Sequence, residues 1–402
     1  MSKTRDEYLQ NHWTRYPEMP ARALRWGRVQ QHYLGTHSIA EFDLVNLNSN
    51  EFVIKAKEVL IEGDFIALMP NNQVVLLAPN LTSREAKSAS WPEHKIWQSF
   101  IAKIRQNLNE KSFVEVKTPT LVACPGTEPS LEVFETEFKL DSKTFKYYLP
   151  TSPELNLKKL LAEGAEKIYE IAPVFRNGEK TNRHEPEFLM LEWYRAFANL
   201  NRIKMDVMEL VEILADHLKV EKPAGILTFT VPDLFKTYCQ FDLKPNTTAE
   251  ELKALAQKLN VDVSAASCID DYFYLIFMEK IENKWPLDQL VFVEKYPPYQ
   301  AALARVGQDG WAERFEFYWR GYEIGNAFHE LNDPVVQRQR ALEDLEKKKQ
   351  MGKKDVSLDE TFFQALQFGL PPSSGIAVGL ERLYMALRQV SDISSINKIY
   401  RS

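Results

Sequence analysis

SSGIAVGLERL, Ser373 to Leu383, carries Gly375, Ala377 and Gly379 at every second position. In a strand this spacing puts all three on one face, and that face is then nearly bare. A helix-like run begins at Glu381 and Arg382 directly after it. Tight packing of the strand on its neighbours would explain the glycines alone. The arginine behind the cleared strand points instead to a bound polyanion, and the alanine between the two glycines then needs a reason of its own.

Two stretches upstream supply matching chemistry. FRNGEKTNRHEPEFLMLEWY, Phe175 to Tyr194, reads as two strand-like arms around a charged loop. Arg176 ends one arm, Arg183 and His184 sit in the loop, and Phe188 and Glu192 lie on the return arm. Such a hairpin brings a guanidinium fork suited to phosphate oxygens together with a phenyl face suited to a base. ERFEFYWRGYEIGNAFHELND, Glu313 to Asp333, spaces Glu316, Glu323 and Glu330 by seven. An odd spacing alternates faces in a continuous strand, so the chain is expected to bend or bulge between them. Carboxylates among buried aromatic residues are costly unless a cation pairs with them; the reading supplies Mg2+ or an amino-group ligand. Together these elements describe a site for a triphosphate and Mg2+ without a P-loop, since no G-x-x-x-x-G-K-[ST] occurs.

From Trp91 onward helical and strand-like patterns mix irregularly. Ile96, Trp97, Phe100, Ile101, Ile104 and Leu108 form one apolar stripe, followed by the strand-like SFVEVKTP ending at Pro119. Strands are expected at KYYLP, KIYEIAPVF, PEFLMLEWYRAF, QLVFVEKYP, AERFEFYWRGYEIGNAF and GIAVGLE. Helices are expected around Pro153–Glu163, Asn201–Leu218, Ala249–Leu259, Tyr272–Lys284 and Pro334–Gln350. This mixture is α+β with a mainly antiparallel sheet flanked by helices. KKKQMGKK, Lys347 to Lys354, is the one dense basic run and reads as a solvated helix end.

The first residues differ in kind. Five short β-rich runs, separated by turn signals, precede the linker-like NLTSREAKSAS. They suggest either a small OB-like β-barrel of the oligonucleotide-binding type or an unspecific β-module. The expected division is residues 1–86 for this module and 87–402 for a catalytic domain. The 402 residues carry a net charge of −6, which gives no general attraction to nucleic acid or anionic membrane. Only Lys347–Lys354 and Arg22, Arg25 and Arg28 offer local grip. No apolar run is long enough to span a bilayer. The N-terminus has no signal-peptide core, and the three cysteines, Cys124, Cys239 and Cys268, show neither disulfide nor zinc spacing. A reducing cytoplasm is the compartment this composition suits.

The order of TSPELNLKKLL, EIGNAFHELND and LPPSSGIAVGLERL resembles the class II aminoacyl-tRNA synthetases, lysine type, over about Ser90 to Ser402. The helix–strand–Pro119 unit looks like their motif 1, a dimer interface in the family. The Arg176 hairpin looks like motif 2, and GIAVGLERL like motif 3. Finer features resemble a paralogous group, the ligases that attach (R)-β-lysine to elongation factor P. These are Ser152 in TSPE, the stretch YQAALARV, His329 and Ala377, where synthetases carry alanine, SPLA, serine and glycine.

The resemblance implies an ATP-dependent ligase acting as a homodimer, with ATP and Mg2+. Arg176 and Arg382 would be catalytic. ATP would meet Arg176, Asn177, Gly178, Arg183, Glu185, Phe188, Glu323, Ile324, Gly379 and Arg382. The amino acid, lysine or β-lysine, would meet Ser152, Pro153, Glu154, Glu192, Tyr194, Asn326, Phe328, Glu330 and Ala377. Glu316 and Glu323 would hold the metal. Elongation factor P would be the acceptor. The rival is a lysyl-tRNA synthetase with a reduced anticodon-binding barrel, and tRNA is a partner only under that rival; a regulator that keeps the fold to sense an amino acid is the non-enzymatic alternative. Two positions depart from the family pattern: RNG stands for RNE at Gly178, and HEPEF for HNPEF at Glu185.

Overall fold

The computed structural model describes residues 25–33, 36–41, 50–55, 60–61, 64–71, 73–79 and 91–396, apart from 265 and 283. The chain divides into two compact units, Met1–Ser99 with Ile396–Ser402, and Phe100–Ser395. The linker NLTSREAKSAS and the side chains of Arg22, Arg25 and Arg28 lie outside the described residues.

In the first unit the five expected strands are β1 (Arg25–Tyr33), β2 (Thr36–Glu41), β3 (Asn50–Lys55), β4 (Phe65–Leu68) and β5 (Val74–Ala78). They form one antiparallel sheet in the order β3-β2-β1-β4-β5. Val29, Ile54, Ile66 and Leu76 alternate into its small core. Among the described residues β3 and β5 are the edges and do not pair, so the sheet is described open rather than as a closed barrel.

α1 (Trp91–Glu110) buries the stripe Trp97, Phe100, Ile101, Ile104 and Leu108, as its spacing requires. The second unit continues with β6 (Val114–Glu115), β7 (Glu135–Leu140), β8 (Lys143–Tyr148), α2 (Glu154–Ala162), β9 (Lys167–Phe175) and β10 (Glu187–Ala196). Then come α3 (Leu200–Leu218), β11 (Ile226–Thr230), α4 (Val231–Cys239), α5 (Ala249–Lys258), α6 (Ile269–Lys280) and β12 (Leu290–Tyr296). The chain closes with β13 (Ala312–Trp319), β14 (Tyr322–His329), α7 (Pro334–Gln350), α8 (Glu360–Gly369), β15 (Ser373–Gly379) and α9 (Leu380–Arg388). Eight strands make the central sheet, in the order β11-β12-β13-β14-β15-β10-β9-β6. It is antiparallel except at its two edges, where β11 runs parallel to β12 and β6 parallel to β9. Helices start where the sequence provides caps: Asn199 accepts from the Arg202 amide, and Thr248 and Glu251 form a capping box.

Two readings change. AERFEFYWRGYEIGNAF is a hairpin rather than one bent strand: Arg320 and Gly321 both adopt left-handed φ, 53° and 77°, the geometry of a two-residue hairpin turn. The expected bulge is also present, because the register slips between Phe317 and Tyr318, pairing Tyr318 with Glu323. KKKQMGKK is a helix end that is solvated only in part: Lys349, Gln350, Met351, Gly352 and Lys354 are exposed, but Lys348 turns inward. Lys348 is 2% exposed and donates to the carbonyls of Glu128 and Leu131 at 3.2 and 3.0 Å. Lys347 pairs with Asp270 at 3.0 Å. A buried ammonium needs acceptors, and the loop backbone of Glu128–Leu131 provides them.

Candidate active site

β15 lies between β14 and β10, so its cleared face is the floor of the site. In register, Glu192 stands beside Ala377, Ala377 beside Asn326, and Asn326 beside Glu316. The next row runs Tyr194, Gly375, Phe328, Arg314. Directly paired residues point to the same side, so these rows share one face. Over it opens a cavity of about 1230 Å3.

The two glycines of β15 do different things. A Cβ on Gly375 would come within 2.2 Å of the Tyr194 ring and 2.9 Å of a Glu330 oxygen. Its space is therefore filled by the protein, which is close packing rather than room for a ligand. A Cβ on Gly379 would meet nothing nearer than 3.9 Å, and Gly379 lines the cavity. Only that end of the strand is cleared for something else.

At the Gly379 end the cavity is cationic. The β9–β10 hairpin keeps perfect register to Phe175–Glu187, which delivers Arg176 to the rim. The Arg176 guanidinium lies over the Phe188 ring at 5.3 Å. Its buried Nε has no hydrogen-bond partner, and among the described residues it makes no ion pair. Arg382, in the first turn of α9, donates to the Glu323 carbonyl at 3.1 Å and to His184 Nε2. Burial and then Arg382 hold His184 below the usual imidazole range, so the neutral ring can accept that bond. His184 lay in the quoted loop without a role; its contact with Arg382 crosses 198 positions, which no local spacing reveals. Arg183 stacks on Tyr322 at 5.0 Å and lines the cavity.

Glu323 lies 3.8 Å from Arg382. Burial, then the adjoining Glu316, push its carboxyl up to about 7 against the two arginines Arg382 and Arg314. Glu316 is held by Arg314 and by the hydroxyls of Tyr296 and Tyr318. Two mutually repelling carboxylates at the wall of a cavity fit a divalent cation, which would relieve the repulsion. Among the described residues no group of three or more His, Cys, Asp or Glu side chains is placed to hold a metal. A cation here would complete its shell with phosphate oxygens and water, as Mg2+ commonly does.

The other end is anionic and largely buried. Ser152 donates to Glu192 at 2.6 Å, and Tyr194 donates to its second oxygen at 3.0 Å. Burial, then Glu154, push Glu192 up to about 8. Lys158, 1% exposed, touches Glu154 and Glu330, each at 2.6 Å. The sequence reading looked for the cation of these acids in a metal or ligand; the chain supplies Lys158 to one pair and Arg314 to Glu316.

Of the residues singled out from sequence, Ser152, Glu154, Arg176, Arg183, Glu185, Phe188, Glu192, Glu316, Glu323, Ile324, Asn326, Phe328, Ala377, Gly379 and Arg382 line this one cavity. Tyr194 and Glu330 stand just behind its wall, 3% and 1% exposed. Pro153 precedes α2. Asn177 and Gly178 are exposed, and the Asn177 amide donates to the Glu132 carbonyl at 3.0 Å.

Residues 88–398 match the model of the class II tRNA synthetases (D, K and N), and the chain belongs to that family. It is an ATP-dependent aminoacyl ligase of that fold. Among curated relatives it is 36% identical over 315 residues to the elongation factor P–(R)-β-lysine ligase of Haemophilus influenzae, covering 77% of this chain and 95% of the relative. The ligase of the same name from Hamiltonella defensa is 35% identical, covering 74% of this chain and 91% of the relative. A lysine–tRNA ligase of Buchnera aphidicola is 31% identical, over 88% of this chain and 69% of the relative. No helix among the described residues is long and apolar enough to cross a membrane.

Proposed function

We propose that the chain activates (R)-β-lysine, or lysine, with ATP and Mg2+ and transfers it to a lysine of elongation factor P in the cytoplasm. The observation that carries this reading is the polarity of the cavity: unpaired Arg176 with Arg382 at the open Gly379 end, and Glu154 and Glu192 at the closed end with Glu330 just behind them. A substrate with a carboxylate at one end and ammonium groups along the other lies across it, its carboxylate towards the arginines. The carboxylate oxygen attacks the α-phosphorus of ATP. The bond to pyrophosphate breaks, and an aminoacyl-adenylate forms. Arg176 and Arg382 stabilise the charge on the phosphoryl oxygens and hold the two reactants in line. Glu323 and Glu316 would hold Mg2+, which would supply further neutralisation of the phosphate charge. The acceptor amine, deprotonated, then attacks the carbonyl carbon; an amide bond forms and AMP leaves.

Ala377 is the specificity element in this reading. Its methyl stands between Glu192 and Asn326 on the cavity floor. β-Lysine carries its amino group one carbon further from the carboxylate and avoids a methyl that crowds an α-amino group. The reading keeps residues 1–86 as a separate domain, an OB-like module, in front of a catalytic domain that dimerises.

A second reading, a lysine–tRNA ligase, has one observation in its favour. The match to the Buchnera protein covers 88% of this chain, more than residues 88–402 can supply, and so it reaches the N-terminal sheet. The deciding experiment offers the purified protein ATP, labelled lysine isomers, elongation factor P and tRNA together. Label on elongation factor P is expected. Label on tRNA with elongation factor P left unmodified overturns the choice.

A further inference from the structure

Lys158 is a full lysine inside the protein, 1% exposed, on the second turn of α2. Its ammonium has two carboxylates within 2.6 Å: Glu154, four residues earlier on the same helix, and Glu330, just past the end of β14. It forms no ion pair with Glu192, which is satisfied by Ser152 and Tyr194 instead. Burial alone would push the Lys158 ammonium down, but Glu154 and then Glu330 outweigh it and hold it above the ordinary lysine range. The titratable groups facing this cluster are Glu154 from α2, Glu192 and Tyr194 from β10, and Glu330.

We propose that Lys158 is a positioning residue of the amino-acid site, an internal counter-ion that fixes Glu154 and Glu330 and sets the charge of the pocket so that it takes amino acids with two ammonium groups. The inference rests on the activation reading above and extends it. Three carboxylates and one ammonium leave the closed end short of two positive charges. A diamino monocarboxylic acid brings both, while a monoamino acid of the same length leaves one buried carboxylate uncompensated, which is strongly unfavourable. The same arithmetic explains the placement of Lys158. Without it a third buried carboxylate would stand uncompensated, and the acids would take up protons rather than receive the substrate. Glu154 is held by contact with Lys158, whereas Glu192 and Glu330, both pushed up to about 8 by burial, are left to lose their protons when the substrate's two ammonium groups arrive.

The test uses the full chain, wild type and Lys158→Met, which keeps length and removes charge. Pyrophosphate exchange into ATP is followed with L-lysine and with (R)-β-lysine between pH 6.5 and 9. At pH 7 the amino-acid KM of Lys158→Met is expected to rise ~10- to 100-fold, as for a broken buried charge pair, with the ATP KM changed by less than about threefold. The deficit should shrink as pH rises and the carboxyls ionise, and Lys158→Arg should recover most of it. An unchanged amino-acid KM overturns the proposal. So does a pH-independent loss shared by both substrates, which is what a merely structural lysine would give. Should Lys158→Met fail to fold, calorimetry on the wild type in two buffers counts the protons released when the amino acid binds at pH 7. One to two are expected, from Glu192 and Glu330; fewer than one, or more than two, means that Lys158 does not set the charge of the pocket, and overturns the proposal. Wild-type protein that activates no diamino acid would remove the activation reading instead.

Discussion

The two ends of the cavity treat charge in opposite ways. At the Gly379 end, Arg176 is left without an ion pair, its flat face on Phe188 and its Nε unsatisfied. At the Gly375 end the acids already have company: Glu192 has two hydroxyls, and Glu154 and Glu330 share Lys158, Glu330 as an ion pair without hydrogen-bond geometry at either oxygen. An open end can wait for its ligand because Arg176 is only half-buried, even though its Nε is covered. A buried end cannot, because an uncompensated carboxylate there would cost several kcal/mol. The difference teaches that an unpaired charge marks where a ligand's phosphates would go, while a paired one marks where the protein sets selectivity.

The largest expected break of this contrast comes from Arg176→Ala. Removing the unpaired cation takes away a partner of the developing phosphoryl charge, so pyrophosphate exchange should fall by ~10²-fold or more. Melting should barely move, because Arg176 makes no ion pair among the described residues. Exchange at the wild-type rate would show that the open end is not the phosphate end.

Ala377→Gly comes next and sharpens the other end. Removing one methyl from the floor beside Glu192 should move the preference from β-lysine towards α-lysine by roughly 10- to 200-fold in the ratio of kcat/KM. An unchanged ratio would leave Ala377 without this role.

Titration gives a smaller, reversible effect. Glu192, pushed up to about 8 by burial and Glu154, is protonated in the empty pocket at neutral pH. A substrate ammonium favours the anion. The kcat/KM for the amino acid should therefore rise with pH up to about 8, at most tenfold per unit, and level above it. Glu192→Gln, which carries no titrating proton, should make the profile shallower and leave the share of Glu330, which burial also pushes up to about 8. A wild-type profile already flat from pH 6 would mean that Glu192 binds in one state throughout.

The sequence reached much of this. The strand spacing of β15, the arms of the β9–β10 hairpin and the stripe of α1 all come from local period, and local period survives folding. The bulge before Glu323 was legible from the odd spacing of the glutamates. What sequence could not show was pairing across long separations. Lys158 meets Glu330 across 172 positions, and His184 meets Arg382 across 198. The requirement for a cation was visible; its source was not, because nothing local in TSPELNLKKLL places Lys158 beside Glu330. KKKQMGKK read as solvated for a related reason. A run of like charges says nothing about which one of them turns inward.

That inward lysine gives the smallest effect and the finest test of the contrast. Among the described residues Lys348 has no carboxylate partner at bonding distance; it grips two backbone carbonyls, of Glu128 and Leu131, in a loop whose residues Gly126–Leu131 line the cavity. Glu128 feels both ends, since Glu154 raises and Arg176 lowers its carboxyl, although burial is the larger influence and holds it above the usual range. A loop placed between the two ends should serve both. Lys348→Met removes two hydrogen bonds from a charged donor, each worth about 1.5–3 kcal/mol. Some of that loss returns as water reaches the freed carbonyls. The melting temperature should fall by several degrees, and the KM values for ATP and for the amino acid should rise together, by a few-fold each. A rise confined to ATP would assign the loop to the cationic end, and one confined to the amino acid would assign it to the acidic end. Either split would mean that the cavity has a boundary the loop does not cross, and that its two ends are built as separate sites rather than as one polar trough.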